Sequence, residues 1–218
     1  MMTTTVLHEP LDDAQFTLGM TSVTPSLRSY ARSLSGDREL ALDLTQDTLM
    51  RAWAARARFI PGSSMKAWLF RILRNVFLSH LRRRRSARTE TFGDDMPDMP
   101  DMPVLPSQED SVAVREIATA WHSLSPDHRA ALQLIGVEGL SYETAAGIEQ
   151  ISVGTLKSRV SRARAALRHN VEAGAMRTSD HTGASAGPDA ARIEEIDRKQ
   201  IALLRRWAGG AGKDRARA

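Results

Sequence analysis

The 218-residue chain contains no cysteine, which removes disulfide frameworks, thiolate zinc sites, iron–sulfur clusters and thiol nucleophiles from consideration. Aromatic residues are scarce at 5%, so any core must be built from Leu, Ile, Val and Ala. No run of about 18 apolar residues occurs, so no segment reads as membrane-spanning. The N-terminus shows no basic segment followed by an apolar core, and a cytosolic protein is expected. Histidine is sparse as well. None of the six, at 8, 80, 122, 128, 169 and 181, belongs to an HExxH pair or sits beside a carboxylate cluster. His122 and His128 read as surface or packing residues. No catalytic residue, metal site or cofactor is expected, and an enzyme is the poorest reading.

Lysine is the fourth shortage. Only Lys66, Lys157, Lys199 and Lys213 stand beside 26 arginines among the 30 basic residues. Against 26 acids the formal charge is only +4, yet the isoelectric point is about 9.9. Guanidinium groups stay charged and match phosphates and guanine edges bidentately, so an arginine excess suits a nucleic-acid partner. A coding bias toward Arg and Ala explains the composition equally well. Placement along the chain has to decide.

Residues 1–21 show no sustained periodicity and read as a flexible arm. From 24 to 85 apolar residues recur at three and four, the helical spacing. That gives a short helix over 26–33, a second over 38–57, a Pro-Gly loop over 59–64 and a long helix over 66–85. Residues 87–110 form an extended linker. Proline every third position in Met96-Pro97-Asp98-Met99-Pro100-Asp101-Met102-Pro103 forbids helix, and seven acids against Arg88 give residues 86–110 a net charge of −6. Helices resume over 111–124, and Ser125-Pro126-Asp127 is a helix start: hydroxyl cap, proline in the first turn, then an acid facing the dipole. That helix is expected to reach about 137, followed by a helix pair over 141–149 and 152–169. The fold expected is all-α, with a helical domain at 22–86, the linker, and a helix-turn-helix domain at 111–171. An extension follows over 172–218, with an amphipathic helix at about 190–208.

Charge is unevenly placed on these helices. Between 152 and 168 there are five basic residues and no acid. Ser152 caps this helix. Gly154, Thr155 and Ser158 are small enough to enter a major groove, and Lys157, Arg159 and Arg162 can reach phosphates or base edges. A solvated basic helix end is the blander reading. Coincidence of the basic face with a helix-turn-helix pattern favours DNA.

The helix over 66–85 carries an apolar stripe, Leu69, Ile72, Leu73, Val76 and Leu81, opposite Arg71, Arg74, Asn75 and Arg82. From Lys66 to Arg88 there are eight basic residues and no acid. A face kept only for solubility would mix signs; this one is a footprint for a polyanion. Trp68 and Phe77 suit core packing, whereas Phe59 in the loop is less constrained and could stack on an unpaired base.

On the second helix, Ala41, Leu42, Thr45, Leu49, Ala52 and Trp53 share the expected core side. Asp43, Gln46, Asp47 and Met50 share the other, where a methionine among polar residues suits protein docking. A plain solvated face fits the spacing as well.

Taken in order, these stretches resemble an extracytoplasmic-function (group IV) sigma factor of bacterial RNA polymerase. Asp43-Leu44-Thr45-Gln46-Asp47-Thr48-Leu49-Met50-Arg51-Ala52-Trp53 is similar to the region 2 segment that docks on the β′ clamp helices. The resemblance thus implies polymerase contact through Asp43, Gln46, Asp47 and Met50. The stretch from Phe59-Ile60-Pro61-Gly62-Ser63-Ser64 through Arg71-Ile72-Leu73-Arg74-Asn75 is similar to the promoter-opening segment, whose loop takes up a flipped base of the minus-ten element. Phe59, Ser63, Ser64, Lys66, Arg71, Arg74, Asn75 and Arg82 are the implied contacts. Val153-Gly154-Thr155-Leu156-Lys157-Ser158-Arg159 resembles the region 4 reader of the minus-thirty-five element. This implies contacts from Ser152, Gly154, Thr155, Lys157, Ser158, Arg159 and Arg162, with the polymerase β flap as a further partner of that domain.

The stretches 31–41 and 139–146 resemble the alphaproteobacterial general-stress group. Members are held by a small helical anti-sigma protein until a phosphorylated response regulator with a sigma-like domain captures it. Two features depart from the family pattern. The helix-turn-helix turn reads Glu149-Gln150-Ile151 where a glycine is usual, so Gln150 is expected to be left-handed and strained. Beyond 174, the stripe Ile193, Ile196, Leu203, Leu204 and Trp207 lies among arginines and could dock on its own domain, a partner or a membrane surface.

Two other functions compete. A sigma-like mimic that sequesters an anti-sigma protein need not keep basic promoter-contacting faces. An ordinary helix-turn-helix repressor leaves the loop and docking face of the first domain unexplained.

Overall fold

The computed structural model describes residues 12–90 and 111–179. Among them are seven α-helices, one 3-10 turn and one π-helical turn, with no strand. The Pro-Asp-Met repeat at 96–103 and the amphipathic stretch at 190–208 lie outside the described residues.

Helix α1 (Asp13–Ser35) takes up the described part of the expected N-terminal arm, from 13 to 21, and makes the short helix expected at 26–33 part of a longer one. Asp12 and Gln15 form a reciprocal capping box: the Asp12 carboxylate accepts from Gln15 N at 2.7 Å, and Gln15 Oε1 accepts from Asp12 N at 3.3 Å. Pro25 lies inside the helix and removes one backbone donor. Threonine and serine hydroxyls nearby donate back to carbonyls, Thr21 to Thr17 and Thr24 to Met20, so a turn-like composition remains helical. Phe16 anchors the first turn against Trp53, Phe59 and Trp68, with ring centroids 5.9–6.1 Å away.

Gly36 ends α1 at φ 70, a left-handed cap that any Cβ would strain. Asp37 then caps α2 (Arg38–Ala54) through Leu40 N at 2.8 Å. The 3-10 turn Arg56–Arg58 and the loop lead to α3 (Met65–Glu90), which continues past the expected helix end at 85 and into the first residues of the expected linker. Leu27, Tyr30, Ala31 and Leu34 from α1, Ala41, Leu44 and Ala52 from α2, and Leu69, Phe70, Leu73, Val76 and Phe77 from α3 fill the core of this three-helix unit. Each large apolar side chain so buried contributes about 1.5–3 kcal/mol.

The second unit begins with α4 (Ser111–His122). Helix α5 (Pro126–Leu132) starts on the Ser125-Pro126-Asp127 signal, with Ser125 Oγ accepting from His128 N at 3.3 Å. It widens into a π-helical turn, Gln133–Val137, closed by Glu138 N to Gln133 O at 2.9 Å. Ser141 caps α6 (Tyr142–Glu149), and Ser152 caps α7 (Val153–Ser179), which passes the expected domain end at 171 and enters the expected extension. Ala145, Ala146, Ile148, Leu156 and Val160 are buried where α6 and α7 cross, and Ile151 is half-buried between them. Small alanines permit that close approach.

The two units also pack on each other, α5 against α1 and α6 against α3, so the buried apolar side chains of both form one continuous cluster.

Candidate nucleic-acid interface

Helix α2 presents its polar side to solvent. Asp43, Gln46 and Met50 are exposed, Met50 at 65% of its surface, and Asp47 is half-exposed. Asp47 also accepts from Arg51 at 3.0 Å one turn away. Such an exposed pair contributes only about 0.3–0.5 kcal/mol, so Asp47 remains available to a partner. The expected core side needs correction. Leu42 and Trp53 are 44% and 37% exposed, while Leu44 and Thr48 are buried in their place. Thr45 and Thr48 bury their hydroxyls by donating to Ala41 O and Leu44 O at 2.6 and 2.7 Å, which lets a polar side chain occupy the core face. The docking face therefore includes more apolar surface than a helical wheel showed.

The loop before α3 makes a tight turn at Ile60–Ser63, with Ser63 N and Oγ both bonded to Ile60 O and Gly62 at φ 83. Ser63 and Ser64 are exposed. Phe59 is not free. It is buried against Phe16 and Trp68, at 5.9 and 5.4 Å, so a stacking role on a base is not open to it in this arrangement. Ile60, 71% exposed, is the apolar residue at the loop tip.

On α3 the four polar positions opposite the stripe separate. Arg71 and Arg82 are exposed, as are Arg83, Arg84 and Arg85. Arg74 is only 7% exposed. Its guanidinium lies 3.0 Å from Glu149 Oε2 and 3.7 Å from Asp127 Oδ1, both in the second unit. Asn75 Oδ1 accepts from Gln150 Nε2 at 2.6 Å, and Lys66 pairs with Glu138. Expecting Arg74 on an open face was therefore wrong for this arrangement of the chain.

On α7, Ser152, Gly154, Thr155, Lys157, Ser158 and Arg162 are exposed at the N-terminal end. Lys157 extends over the Tyr142 ring at 5.8 Å, and Arg162 folds back on Ser158. Arg159 is mostly covered. It lies 3.0 Å from Asp127 and 3.3 Å from Glu149.

Arg74 of α3 and Arg159 of α7 thus converge on one fully buried carboxylate, Glu149, which also accepts from the Tyr30 hydroxyl at 2.5 Å. Burying such an ion costs several kcal/mol, offset only by well-placed partners. Burial pushes the Glu149 carboxyl above its usual range, against the pull of Arg74, the Tyr30 hydroxyl and Arg159. Burial first, and then the Glu149 carboxylate, pushes the Tyr30 phenol well above its ordinary value, so it stays a donor at neutral pH. Burial and the nearby Arg162 and Arg159 hold His128 below its ordinary value, which keeps it uncharged near neutrality.

Sequence reasoning missed Glu149, Asp127, Glu138 and Tyr30 as parts of this surface. One signal was present: acids beside an otherwise basic helix pair. No group of three or more potential metal ligands occurs among the described residues.

Comparison with known proteins matches each unit to a separate sigma-70 region. The family model for sigma-70 region 2 matches residues 20–87, and the model for sigma-70 region 4 matches residues 115–167. The chain is 45% identical over 146 residues to the ECF RNA polymerase sigma factor EcfG of Rhodopseudomonas palustris, covering 67% of this chain and 79% of that one. Among solved structures, it is similar to the sigma factor RpoE of Bartonella quintana in complex with the anti-sigma factor NepR. That match is 41% identical with a TM-score of 0.61, covering 72% of this chain and 96% of the other. CnrH in complex with the cytosolic domain of CnrY matches at 27% identity and a TM-score of 0.52, covering 74% and 90%.

Proposed function

Because the chain belongs to the extracytoplasmic-function sigma factors of bacterial RNA polymerase, we propose how its surfaces divide the work of transcription initiation. Asp43, Gln46, Asp47 and Met50, with Leu42 and Trp53 beside them, dock on the clamp of the β′ subunit. The exposed loop around Ile60, Ser63 and Ser64, together with Lys66, Arg71, Arg74, Asn75 and Arg82, engages the minus-ten element as it melts. Ser152, Gly154, Thr155, Lys157, Ser158, Arg159 and Arg162 at the start of α7 read the minus-thirty-five element in the major groove. The second domain also meets the β flap. Work beside core polymerase places the protein in the cytoplasm, as a binding factor without chemistry of its own.

The observation that carries this reading is the pairing of an unmixed basic face on α3 with another on α7, each on a unit that matches its own sigma region. A sigma-like mimic that only sequesters an anti-sigma protein has no use for those two faces. Similarity to EcfG and to the partner-bound RpoE supports membership of the general-stress group, with a small helical anti-sigma protein as regulator. Run-off transcription with purified core polymerase tests the reading. A promoter-dependent transcript from a stress-type promoter is expected, and its absence on every such promoter would overturn the assignment.

A further inference from the structure

The first two turns of α1 lie outside the stretch that the region 2 model matches, which begins at residue 20. Those turns nevertheless touch the segment before α3 at both of its ends. At its entry, Asp13 accepts from Arg56 Nε at 2.9 Å, and the Arg56 guanidinium lies over the Trp53 ring at 4.8 Å. At its exit, Gly19 faces Met65, the first residue of α3, so closely that a Cβ at position 19 would stand 3.4 Å from Met65 Cε. Between the two ends, Phe16 packs on Trp53, Phe59 and Trp68, with ring centroids 6.1, 5.9 and 6.0 Å away.

The loop has little else to hold it. From 55 to 64, Phe59 is the one buried residue. The backbone bonds there are local, Phe59 N to Arg56 O at 3.0 Å and Ser63 N to Ile60 O at 3.1 Å. Short turns with few buried apolar contacts open readily, so the place of the loop depends on the rings around Phe59. Phe16 and Phe59 are both buried, yet neither belongs to the continuous apolar cluster that joins the two units. They form a satellite under the loop. Truncating Phe16 therefore costs order in the loop before it costs the fold.

We propose that Phe16 is a positioning residue for promoter opening: with Asp13 and Gly19 it clamps Phe59, and so fixes where Ile60, Ser63 and Ser64 meet the unpaired strand. This rests on the minus-ten reading of that loop. Phe16 is 2% exposed and acts through Phe59, not on DNA. A loop ordered before the strand arrives spares the opening step the cost of ordering it, which is how preorganisation strengthens binding. A loop freed from the clamp has to be ordered by the DNA itself, and opening slows.

Full-length Phe16→Ala, Phe16→Leu and Asp13→Asn chains are compared with the parent. Hydrogen exchange on the free chain reads the clamp without DNA. In Phe16→Ala the amides of Phe59 and Ser63 are expected to exchange at least threefold faster, while those of α3 around Leu73 keep the parent's rate. Holoenzyme on a promoter carrying 2-aminopurine in its minus-ten element then reads opening. Phe16→Ala is expected to slow the fluorescence rise at least threefold with core-polymerase affinity unchanged. Phe16→Leu keeps most of the bulk and is expected to restore the rate to within twofold of the parent. Asp13→Asn breaks only an exposed ion pair, so it melts as the parent does and slows opening less than Phe16→Ala. Parent-like exchange and opening in both Phe16→Ala and Asp13→Asn would overturn the clamp. Faster exchange with parent-like opening would overturn its positioning role, and so would slow opening matched by an equal loss of core affinity. A parent that opens no stress-type promoter would instead overturn the minus-ten reading, and the exchange rates still decide the clamp.

Discussion

The surface on α2 and the surfaces on α3 and α7 both carry charged side chains suited to a partner, yet one is open and the others partly covered. On α2, Asp43, Gln46 and Met50 face solvent, and the bond between Asp47 and Arg51 is local and weak. On α3, Arg74 is buried in bonds to Glu149 of the other unit, and on α7, Arg159 is half-buried against Asp127 and Glu149 of its own unit. In the structure the face proposed for polymerase docking is open, while Lys66, Arg74 and Asn75, proposed for promoter contact, are bonded to the second unit. Burial here marks a surface in storage; on α2 exposure marks one ready for use.

The comparison breaks most strongly at Glu149. In a double-mutant cycle with Arg74→Ala and Glu149→Ala, each single variant is expected to weaken closure by up to about 3 kcal/mol, because each strips a buried charge of its nearest partner while Arg159 and Tyr30 stay on Glu149 and Asp127 stays near Arg74. The double variant is expected to cost much less than the sum. Urea titration followed by tryptophan fluorescence measures it, and simple additivity would argue that the two groups act separately.

Next in size is Arg159→Ala. In the polymerase-bound, open state it is expected to weaken promoter binding by about 1–3 kcal/mol if the guanidinium reads a base. In the free chain the guanidinium is already held by Asp127 and Glu149 of its own unit, so the loss should be smaller there. Filter binding with and without core polymerase gives both values; an equal loss in the two states would deny Arg159 its double use. A loss that is the same on every promoter sequence would assign it to phosphate.

Charge reversal on the open face comes third. Asp47→Arg is expected to reduce core-polymerase affinity about tenfold, roughly 1.4 kcal/mol, with no change in the contact between units, because Asp47 takes no part in the cross-unit bonds. The smallest effect is on the turn. Gln150→Gly is expected to alter the stability of the fold by no more than about 1–2 kcal/mol, in the stabilising direction where strain relief dominates. Thermal unfolding reads the sign.

Much of this architecture was legible from local chemistry. Ser125-Pro126-Asp127 announced the start of α5, Ser152 the start of α7, and the missing glycine at the turn announced a left-handed Gln150. Each depends on residues within a few positions of one another. Helix α1 was not legible from Thr17 to Pro25, because its support comes from hydroxyl back-bonds and from Phe16 packing on rings at 53, 59 and 68. Phe59 misled for the same reason: its burial depends on α1 reaching back that far. The covering of Arg74 was least legible. Tyr30 and Glu149 are 119 positions apart, and Asn75 and Gln150 are 75 apart. Periodicity carries no record of such pairs. A helical face that looked free for DNA was, in the folded chain, already paired.

The most direct test is energy transfer between dyes on Glu39→Cys and Glu172→Cys, exposed and on different units of a chain without native cysteine, measured on the free chain and again after saturating core polymerase. High transfer is expected in the free chain, falling when polymerase is added. Low transfer in the free chain, unchanged by polymerase, would contradict it.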